Sequence, residues 1–207
     1  MIKVHHLENS RSQRILWLLE ELALPYEVIL YKRDPKTMLA PPSLKKVHPL
    51  GKSPVIEDEG RVIAETGAIV EYLVEKAEGR LGPPANRDAI LRYRQFLHYA
   101  EGSMMPPLLA LLVINRLGLL GKPAKKPLLG MFRQHLDYLE AELGARAWFA
   151  GDEFTAADVM MSFPLEAARQ RAGLGPAHPN ILDWLERIHA RPAYAEALRR
   201  GGPYAYA

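Results

Sequence analysis

The chain has 207 residues, of which 48% are hydrophobic and 25% charged, as is ordinary for a globular protein with one large or two small domains. It contains no cysteine, which excludes disulfides, thiolate metal sites and a cysteine nucleophile and fits a reducing compartment. The formal net charge of +3 is small and lacks the basic, aromatic-interleaved stripe of nucleic-acid binders, so we expect no nucleic-acid partner.

Neither the start of the chain nor its apolar runs indicate a targeting or membrane segment. The first six residues lack the apolar core of a signal peptide, and the apolar run 108–114 is too short to span a bilayer. We therefore expect a cytoplasmic protein with no membrane partner. The positive excess lies in the second half, and its clusters are typical of a solvated face: Lys122, Lys125, Lys126, Arg199 and Arg200.

The first 80 residues combine strand and helix patterns. The predicted elements are, in order, a strand, a helix, a strand, a two-stranded hairpin and a helix: 2–6, 12–23, 26–31, 54–57, 61–64 and 65–78. A helix between two strands implies a parallel pair, and Asp58-Glu59-Gly60 is typical of a hairpin turn. This order, βαβ followed by ββα, is that of a thioredoxin-like domain.

Beyond residue 80 the strand patterns cease. Adjacent prolines and a glycine mark a linker over 81–87. Helical spacing predicts five helices, 87–118, 125–143, 155–170, 179–190 and 192–200. Pro106-Pro107 must bend or break the first of them. We therefore predict an α/β domain over 1–80 and an all-helical domain over 88–207.

Two neighbouring features within residues 48–73 indicate a bound peptide. Ser53-Pro54 comes directly before a strand; if that peptide bond is cis, the turn would direct the Ser53 backbone outward, where an extended peptide can bind. The helix that opens at Glu65-Thr66 offers N–H groups without internal partners, which suit a carboxylate. Glutathione, a small peptide with a carboxylate in its first side chain, has both groups.

Three segments together resemble the glutathione S-transferase superfamily, in its serine-using, theta- or phi-like branches of bacteria and fungi. Residues 6–21, HLENSRSQRILWLLEE, resemble the first strand, catalytic loop and first helix. Residues 48–73 resemble the glutathione-binding half, and GDEFTAAD at 151–158 resembles the C-terminal capping segment. The resemblance covers most of the chain in the family's order. Ser53 departs from the aliphatic residue of many relatives, but backbone recognition would survive that change.

The resemblance assigns roles to residues that have ordinary structural interpretations as well. Ser10 matches the thiol-activating serine, with Ser12 as its rival and Asn9 third; Ser10-Arg11-Ser12-Gln13 is equally a helix-capping box. The glutathione-binding residues would be Lys52 at the glycine carboxylate, Ser53 and Pro54 at the cysteinyl backbone, and Glu65 and Thr66 at the γ-glutamyl end. Thr66 is also a natural N-cap.

The family places its electrophile pocket on the long helix after the linker, where the candidates are Tyr99, Met104, Met105 and Leu109. Core packing would explain about half of them, because methionine fills irregular gaps. We expect no metal site, since His5 and His6 are neighbours on a strand and point to opposite faces. Thr155-Ala156-Ala157-Asp158 is typical of a capping box and is interpreted as a folding element.

The leading hypothesis is a homodimeric glutathione transferase that uses glutathione as co-substrate and conjugates it to small hydrophobic electrophiles. The alternatives are a non-catalytic protein that keeps this fold for partner binding, and a glutathione-dependent peroxidase or dehalogenase. Which electrophile is used does not follow from the sequence.

Overall fold

A computed structural model describes residues 1–206, which form two compact units. The first unit comprises Met1–Gly82 together with His189–Ala205, and the second comprises Pro83–Ile188 with Tyr206. The break between Gly82 and Pro83 falls inside the linker that the sequence predicts. Residues 189–205, which the prediction assigns to the helical domain, pack instead with the first unit.

The first unit contains a four-stranded mixed sheet. Its elements are β1 (Ile2–Leu7), α1 (Ser12–Glu21), β2 (Tyr26–Tyr31), a 3₁₀ turn (Pro42–Lys46), β3 (Val55–Asp58), β4 (Arg61–Ala64), α2 (Thr66–Lys76) and, from the end of the chain, α8 (Pro192–Gly201). The strand order is β2-β1-β3-β4, with β1 parallel to β2 and the other pairs antiparallel. The predicted βαβ–ββα order is therefore confirmed.

The apolar face of α1 forms the centre of this unit. Ile15, Leu16, Leu18 and Leu19 are all fully buried, as their helical spacing predicts. Helices α1 and α2 pack on each other and on the sheet, and α8 packs along α1. The hairpin between β3 and β4 turns through Glu59 and Gly60, both at positive φ (49° and 76°), which is the conformation a two-residue hairpin loop requires.

The second unit is helical. It contains α3 (Arg87–Tyr99), a π-helical segment (Ala100–Met104), α4 (Met105–Arg116), a 3₁₀ turn (Gly118–Gly121), α5 (Lys122–Ala145), α6 (Ala156–Arg171) and most of α7 (Pro179–His189). The π-helical segment lies immediately before Pro106-Pro107. Because a proline ring clashes with the carbonyl four residues earlier, the wider π turn accommodates the pair. The prolines, which were predicted to bend or break this helix, therefore interrupt its α-helical pattern without ending the helical stretch.

The continuous helical stretch Arg87–Arg116 is long and apolar enough to cross a membrane by length and composition, with a hydropathy of 1.3. A core helix meets the same criterion. Its two halves pack against the other helices of the unit, α3 against α6 and α4 against α5 and α6.

The start of α6 is held by the predicted capping box. The Thr155 hydroxyl accepts from the Ala157 N–H at 3.3 Å, and the Asp158 carboxylate accepts from the Thr155 N–H at 3.0 Å. Asp158 also accepts from the Phe149 N–H and the Trp184 indole N–H, both at 3.1 Å. Burial raises the pKa of Asp158 to about 6, against the opposing effect of these hydrogen bonds.

Candidate active site

A chain of hydrogen bonds joins Ser10, Ser12 and His6 where β1 passes into α1. The Ser12 hydroxyl lies 2.8 Å from the Ser10 hydroxyl and 2.8 Å from His6 Nδ1, and it accepts from the Leu7 N–H at 3.2 Å. Ser12 is fully buried, whereas 6% of Ser10 remains exposed. Ser10 is therefore the outer member of the chain, the one nearest to an incoming ligand.

The protonation state of His6 sets the direction of these bonds. Burial lowers the pKa of His6 to about 4, and a hydrogen bond to the Gly201 carbonyl opposes that shift only in part, so the ring is neutral near pH 7. The ring nitrogen facing Gly201, Nε2, must carry the proton, which leaves Nδ1 as an acceptor. Ser12 therefore donates to His6, and Ser10 donates to Ser12.

Ser10 does not form the predicted capping box, although its hydroxyl accepts from the Ser12 N–H at 3.3 Å. Helix α1 begins at Ser12, the residue at its N-cap position is Arg11, and no side chain caps it. The Gln13 amide, which the capping-box interpretation directs back to Ser10, is buried with neither polar atom hydrogen-bonded within residues 1–206. The capping-box interpretation is wrong here, because Ser10 turns instead towards the Ser12 hydroxyl.

Asn9, the third candidate for the sulfur, is engaged elsewhere in the first unit. Its side-chain oxygen accepts from the Ala205 N–H at 2.7 Å. The residue sits at a positive φ of 51°, a conformation that asparagine adopts more readily than most residues.

Ser53 lies beside this chain of serines. Its hydroxyl donates to the His5 carbonyl at 2.8 Å and accepts from the Leu7 N–H at 3.3 Å, so a single N–H is shared between Ser53 and Ser12. The Ser53–Pro54 bond is cis. Within residues 1–206 neither the backbone N–H nor the C=O of Ser53 is hydrogen-bonded, and both can therefore take a ligand. Lys52 is exposed and Pro54 is buried.

The start of α2 supplies a second set of free donors. The helix begins at Thr66, and no side chain caps it. Over the part of the chain that the structure describes, the N–H groups of Thr66, Gly67 and Ala68 have no acceptor. The prediction that Thr66 is the N-cap is wrong, since that position belongs to Glu65. Three free N–H groups at a helix start form a site for a carboxylate.

Glu65 has an unusual backbone for a residue with a side chain, with φ 70° and ψ 124°. Such conformations cost about 1–3 kcal/mol and cluster at ligand sites. Here the conformation turns the chain from β4 directly into α2.

The pairing of the strands brings these three features to one edge of the sheet. Val55 at the start of β3 pairs with His5 near the end of β1 and with Ala64 at the end of β4. The Ser10 loop after β1, the Ser53 turn before β3 and the Glu65-Thr66 corner after β4 consequently lie side by side. One extended ligand of a few residues can reach all three.

The four candidates for the electrophile pocket occupy different environments in the second unit. Met104 and Met105 are buried, with 0% and 5% of their surface exposed, whereas Leu109 is 54% exposed. The Tyr99 hydroxyl lies 2.5 Å from His135 Nδ1 in a hydrogen bond, and burial raises the pKa of Tyr99 to about 12. An open cavity of about 580 Å³ lies elsewhere in this unit, between Asn86, Arg92 and Arg146, and none of the four lines it.

Two family models match the chain, the glutathione S-transferase N-terminal domain over residues 10–76 and its C-terminal domain over residues 98–187. Glutathione S-transferase 3 of Schizosaccharomyces pombe is 36% identical over 93% of this chain and 85% of its own length. The chain belongs to the glutathione S-transferase family. The predicted family and the predicted fold class are thereby confirmed.

Solved structures of glutathione S-transferases agree with this assignment. One from Actinobacillus pleuropneumoniae is 34% identical, covers 100% of this chain and 95% of its own, and superposes with a TM-score of 0.89. A family member from Pseudomonas fluorescens with two glutathione bound is 25% identical, with a TM-score of 0.81 over 95% of this chain and 92% of that one.

The two histidines of β1 in this glutathione S-transferase serve in hydrogen bonds. His5 lies 2.9 Å from both Tyr31 and Glu57, while His6 contacts Ser12, so the two neighbours do point to opposite faces of the sheet. Among residues 1–206 no group of three or more histidine, aspartate or glutamate side chains could hold a metal ion.

Sequence reasoning missed His6 and the backbone of Glu65. The alternation of side chains along a strand offered a signal for His6. It lies two residues after Val4, on the same face of β1, and must therefore face α1. No sequence pattern predicts a positive φ at a glutamate such as Glu65.

Proposed function

We propose that this chain binds glutathione along the edge formed by the Ser10 loop, the Ser53 turn and the start of α2, and transfers it to a small electrophile. The observation that carries the proposal is the alignment of the outer serine hydroxyl, a free backbone pair and three free helix N–H groups at one edge. Glutathione presents a thiol, a peptide backbone and a γ-glutamyl carboxylate, one group for each of these three features.

Each end of glutathione has a partner in this arrangement. The γ-glutamyl carboxylate accepts from the N–H groups at the start of α2, where Thr66 adds a hydroxyl and the exposed Glu65 can meet the α-amino group. The cysteinyl backbone pairs with the free N–H and C=O of Ser53 in the manner of an added strand. We assign the exposed Lys52 to the glycine carboxylate, as the family resemblance implies.

The chemistry is nucleophilic attack by the glutathione thiolate on an electrophilic carbon, which forms a carbon–sulfur bond as the leaving group departs or a ring or double bond opens. A free thiol with a pKa of about 8.5 is only a few per cent ionised near pH 7. Ser10 raises that fraction by donating a hydrogen bond to the sulfur, since a bond to the charged form favours it. Ser12 and His6 hold Ser10 in place. No metal takes part in this scheme.

The electrophile is bound by the helical unit, with Tyr99, Met104, Met105 and Leu109 as the proposed pocket. Burial of the two methionines means that their role is to shape the pocket wall, while Leu109 offers direct apolar contact. We place the protein in the cytoplasm, where glutathione is abundant and reduced.

A glutathione-affinity resin followed by a turnover screen tests this function. We expect retention on the resin and conjugation of at least one of four classes: aryl halides, epoxides, enals and hydroperoxides. Retention without turnover would favour the non-catalytic partner-binding alternative, and turnover of hydroperoxides alone would favour a peroxidase. Failure to bind glutathione would contradict the proposal itself.

Thr66→Ala should raise KM for glutathione several-fold and leave kcat nearly unchanged. Its hydroxyl is buried at the start of α2 and contacts a part of the substrate that does not react, so it stabilises ground and transition states alike. Steady-state kinetics with a varied glutathione concentration measure both constants. A normal KM with a depressed kcat would count against this placement.

The chain should form a homodimer, in which the first unit of one protomer contacts the helical unit of the other, as the family resemblance implies. Both units expose apolar side chains that a partner could cover: Leu50 (62% exposed) and Val62 (49%) in the first, and Leu91 (47%) in the second. Sedimentation velocity at micromolar concentration should show a dimer that Leu91→Asp weakens. A monomeric wild-type protein would contradict this expectation.

A further inference from the structure

The turn between α4 and α5 is the most exposed apolar feature of the chain. Leu117, Leu119 and Leu120 are 53%, 76% and 86% exposed, respectively. Single exposed leucines are common, but neighbouring leucines at one turn form a patch of the kind that marks an interaction surface. We name Leu117–Lys126 the hairpin tip.

Two glycines fix this turn, one by its backbone conformation and the other by its close packing. Gly118 has a φ of 57°, which side chains disfavour, and Gly121 packs so tightly that a Cβ there would lie 2.2 Å from the Ile114 carbonyl oxygen. The 3₁₀ turn packs against α4 and α5. The leucines are therefore presented outward by a defined turn.

Along the chain, the charged residues that flank these leucines are all basic. From residue 102 to residue 136 the chain has no aspartate or glutamate and five basic residues: Arg116, Lys122, Lys125, Lys126 and Arg133. Because the whole chain has a net charge of +3, this segment at +5 leaves the remainder at −2. Composition alone predicts a solvated basic face here, whereas the structure adds exposed leucines in its midst.

The lysines of the hairpin tip do not stabilise the fold. Lys122, Lys125 and Lys126 occupy the first turns of α5, where the positive end of the helix dipole disfavours cations, and the first turn has no acidic residue. Neither these lysines nor Arg116 forms an ion pair within residues 1–206. Four unpaired cations beside exposed leucines complement a surface that is anionic outside and apolar beneath.

We propose that the hairpin tip binds anionic phospholipid membranes, with Leu119 and Leu120 entering the interface and the lysines contacting lipid phosphates. The strength of binding at a membrane interface grows with the apolar surface inserted and with the attraction of basic residues to anionic lipids, and the hairpin tip supplies both. The expected location is the cytoplasmic leaflet, whose surface is anionic. The proposal is independent of glutathione binding, since no residue of the hairpin tip belongs to that site.

Sedimentation with lipid vesicles tests the proposal. Intact protein should bind vesicles of phosphatidylglycerol and phosphatidylcholine, release in high salt, and not bind phosphatidylcholine alone. The tip variant replaces Lys122, Lys125 and Lys126 by glutamine, the matched control replaces the exposed Lys32, Lys36 and Lys46, and a third variant combines Leu119→Ser with Leu120→Ser. Each tip lysine should contribute about fivefold, hence about a hundredfold for the three.

The serine variant should lose at least about tenfold in partitioning, because it removes the inserted apolar surface. The control variant, which loses the same net charge, should bind within about twofold of wild type. If the control variant lost as much vesicle binding as the tip variant, net charge alone would explain the effect, and the proposal would be overturned. The proposal would also be overturned if the intact protein did not bind vesicles. It would be overturned in the same way if the protein self-associated without binding vesicles and the serine variant abolished that self-association.

Because the chain contains no cysteine, a single introduced cysteine can be labelled specifically. Such a label provides a second readout of membrane insertion in which every lysine is kept. A polarity-sensitive fluorophore on Leu120→Cys should shift to the blue with anionic vesicles, and the same fluorophore on the exposed Leu39→Cys should not. Equal shifts at both positions, or a shift at neither, would contradict insertion of the hairpin tip.

Discussion

Ser10→Ala should raise the pKa of bound glutathione by about one unit and lower the rate near pH 7 about tenfold, while glutathione binding changes little. The hydroxyl stabilises the thiolate by donating to the sulfur, and a bond to a charged group contributes about 1.5–3 kcal/mol. In the unliganded chain Ser10 already donates to Ser12 at 2.8 Å. Exchanging that neutral bond, worth about 0.5–1.5 kcal/mol, leaves a net gain of about one pKa unit.

Thiolate absorbance titrated against pH in the glutathione complex measures this shift, and high pH should restore most of the lost rate. Ser12→Ala serves as the control. Ser12 is fully buried and bonded to His6 and Leu7, so its loss should chiefly lower the stability of the fold. It should raise the thiol pKa less than Ser10→Ala does. An unshifted pKa in Ser10→Ala with a raised one in Ser12→Ala would transfer the role to Ser12.

Asp158→Ala should lower the free energy of unfolding by about 3–5 kcal/mol and reduce Tm by roughly 10 °C, with glutathione affinity of the folded fraction unchanged. The loss of a cap alone costs about 0.5–2 kcal/mol. Here the carboxylate also accepts from the Phe149 N–H and the Trp184 indole, which would be left buried without partners. Asp183→Ala, on the exposed face of α7, is the control and should change stability by less than about 0.5 kcal/mol.

The pH dependence gives the same residue a second signature. Because the pKa of Asp158 is raised to about 6 in the folded chain, the native state holds a proton between about pH 4 and pH 6 that the unfolded state has released. Its contribution to stability is full below that window and declines as the pH rises through it. The free energy of unfolding of wild type relative to Asp158→Asn should therefore decline as the pH rises from about 4 to about 6. His6 titrates identically in both proteins, so its contribution cancels in this difference. A preserved Tm together with lost glutathione binding in Asp158→Ala would contradict the structural role of Asp158.

Most of the fold could be predicted because apolar spacing determines which face of each element is buried. The leucines of α1 and the double proline after α3 were sufficient to place a helix and its interruption. The position of α8 could not be predicted in this way. An amphipathic helix must bury one face, but its sequence does not say that this face meets α1, more than 160 residues earlier along the chain.

The candidate site was predictable in its chemistry but not in its hydrogen bonds. The pattern around Ser10 permits a capping box, whereas in the structure the Ser10 hydroxyl bonds to Ser12, which in turn bonds to His6 of β1. The bond from His6 to the Gly201 carbonyl depends on where α8 packs, which no local pattern encodes. The free N–H groups at the start of α2 were predicted, because every helix start has them, but the backbone of Glu65 was not, because only the folded hairpin and helix impose that conformation.

A crystal structure of this chain with glutathione would test the account most directly. We predict the sulfur within about 3.5 Å of the Ser10 hydroxyl, the γ-glutamyl carboxylate on the N–H groups of Thr66 to Ala68, and the cysteinyl backbone paired with Ser53. Glutathione bound elsewhere, or bound at this edge with its sulfur turned away from Ser10, would contradict the proposed site.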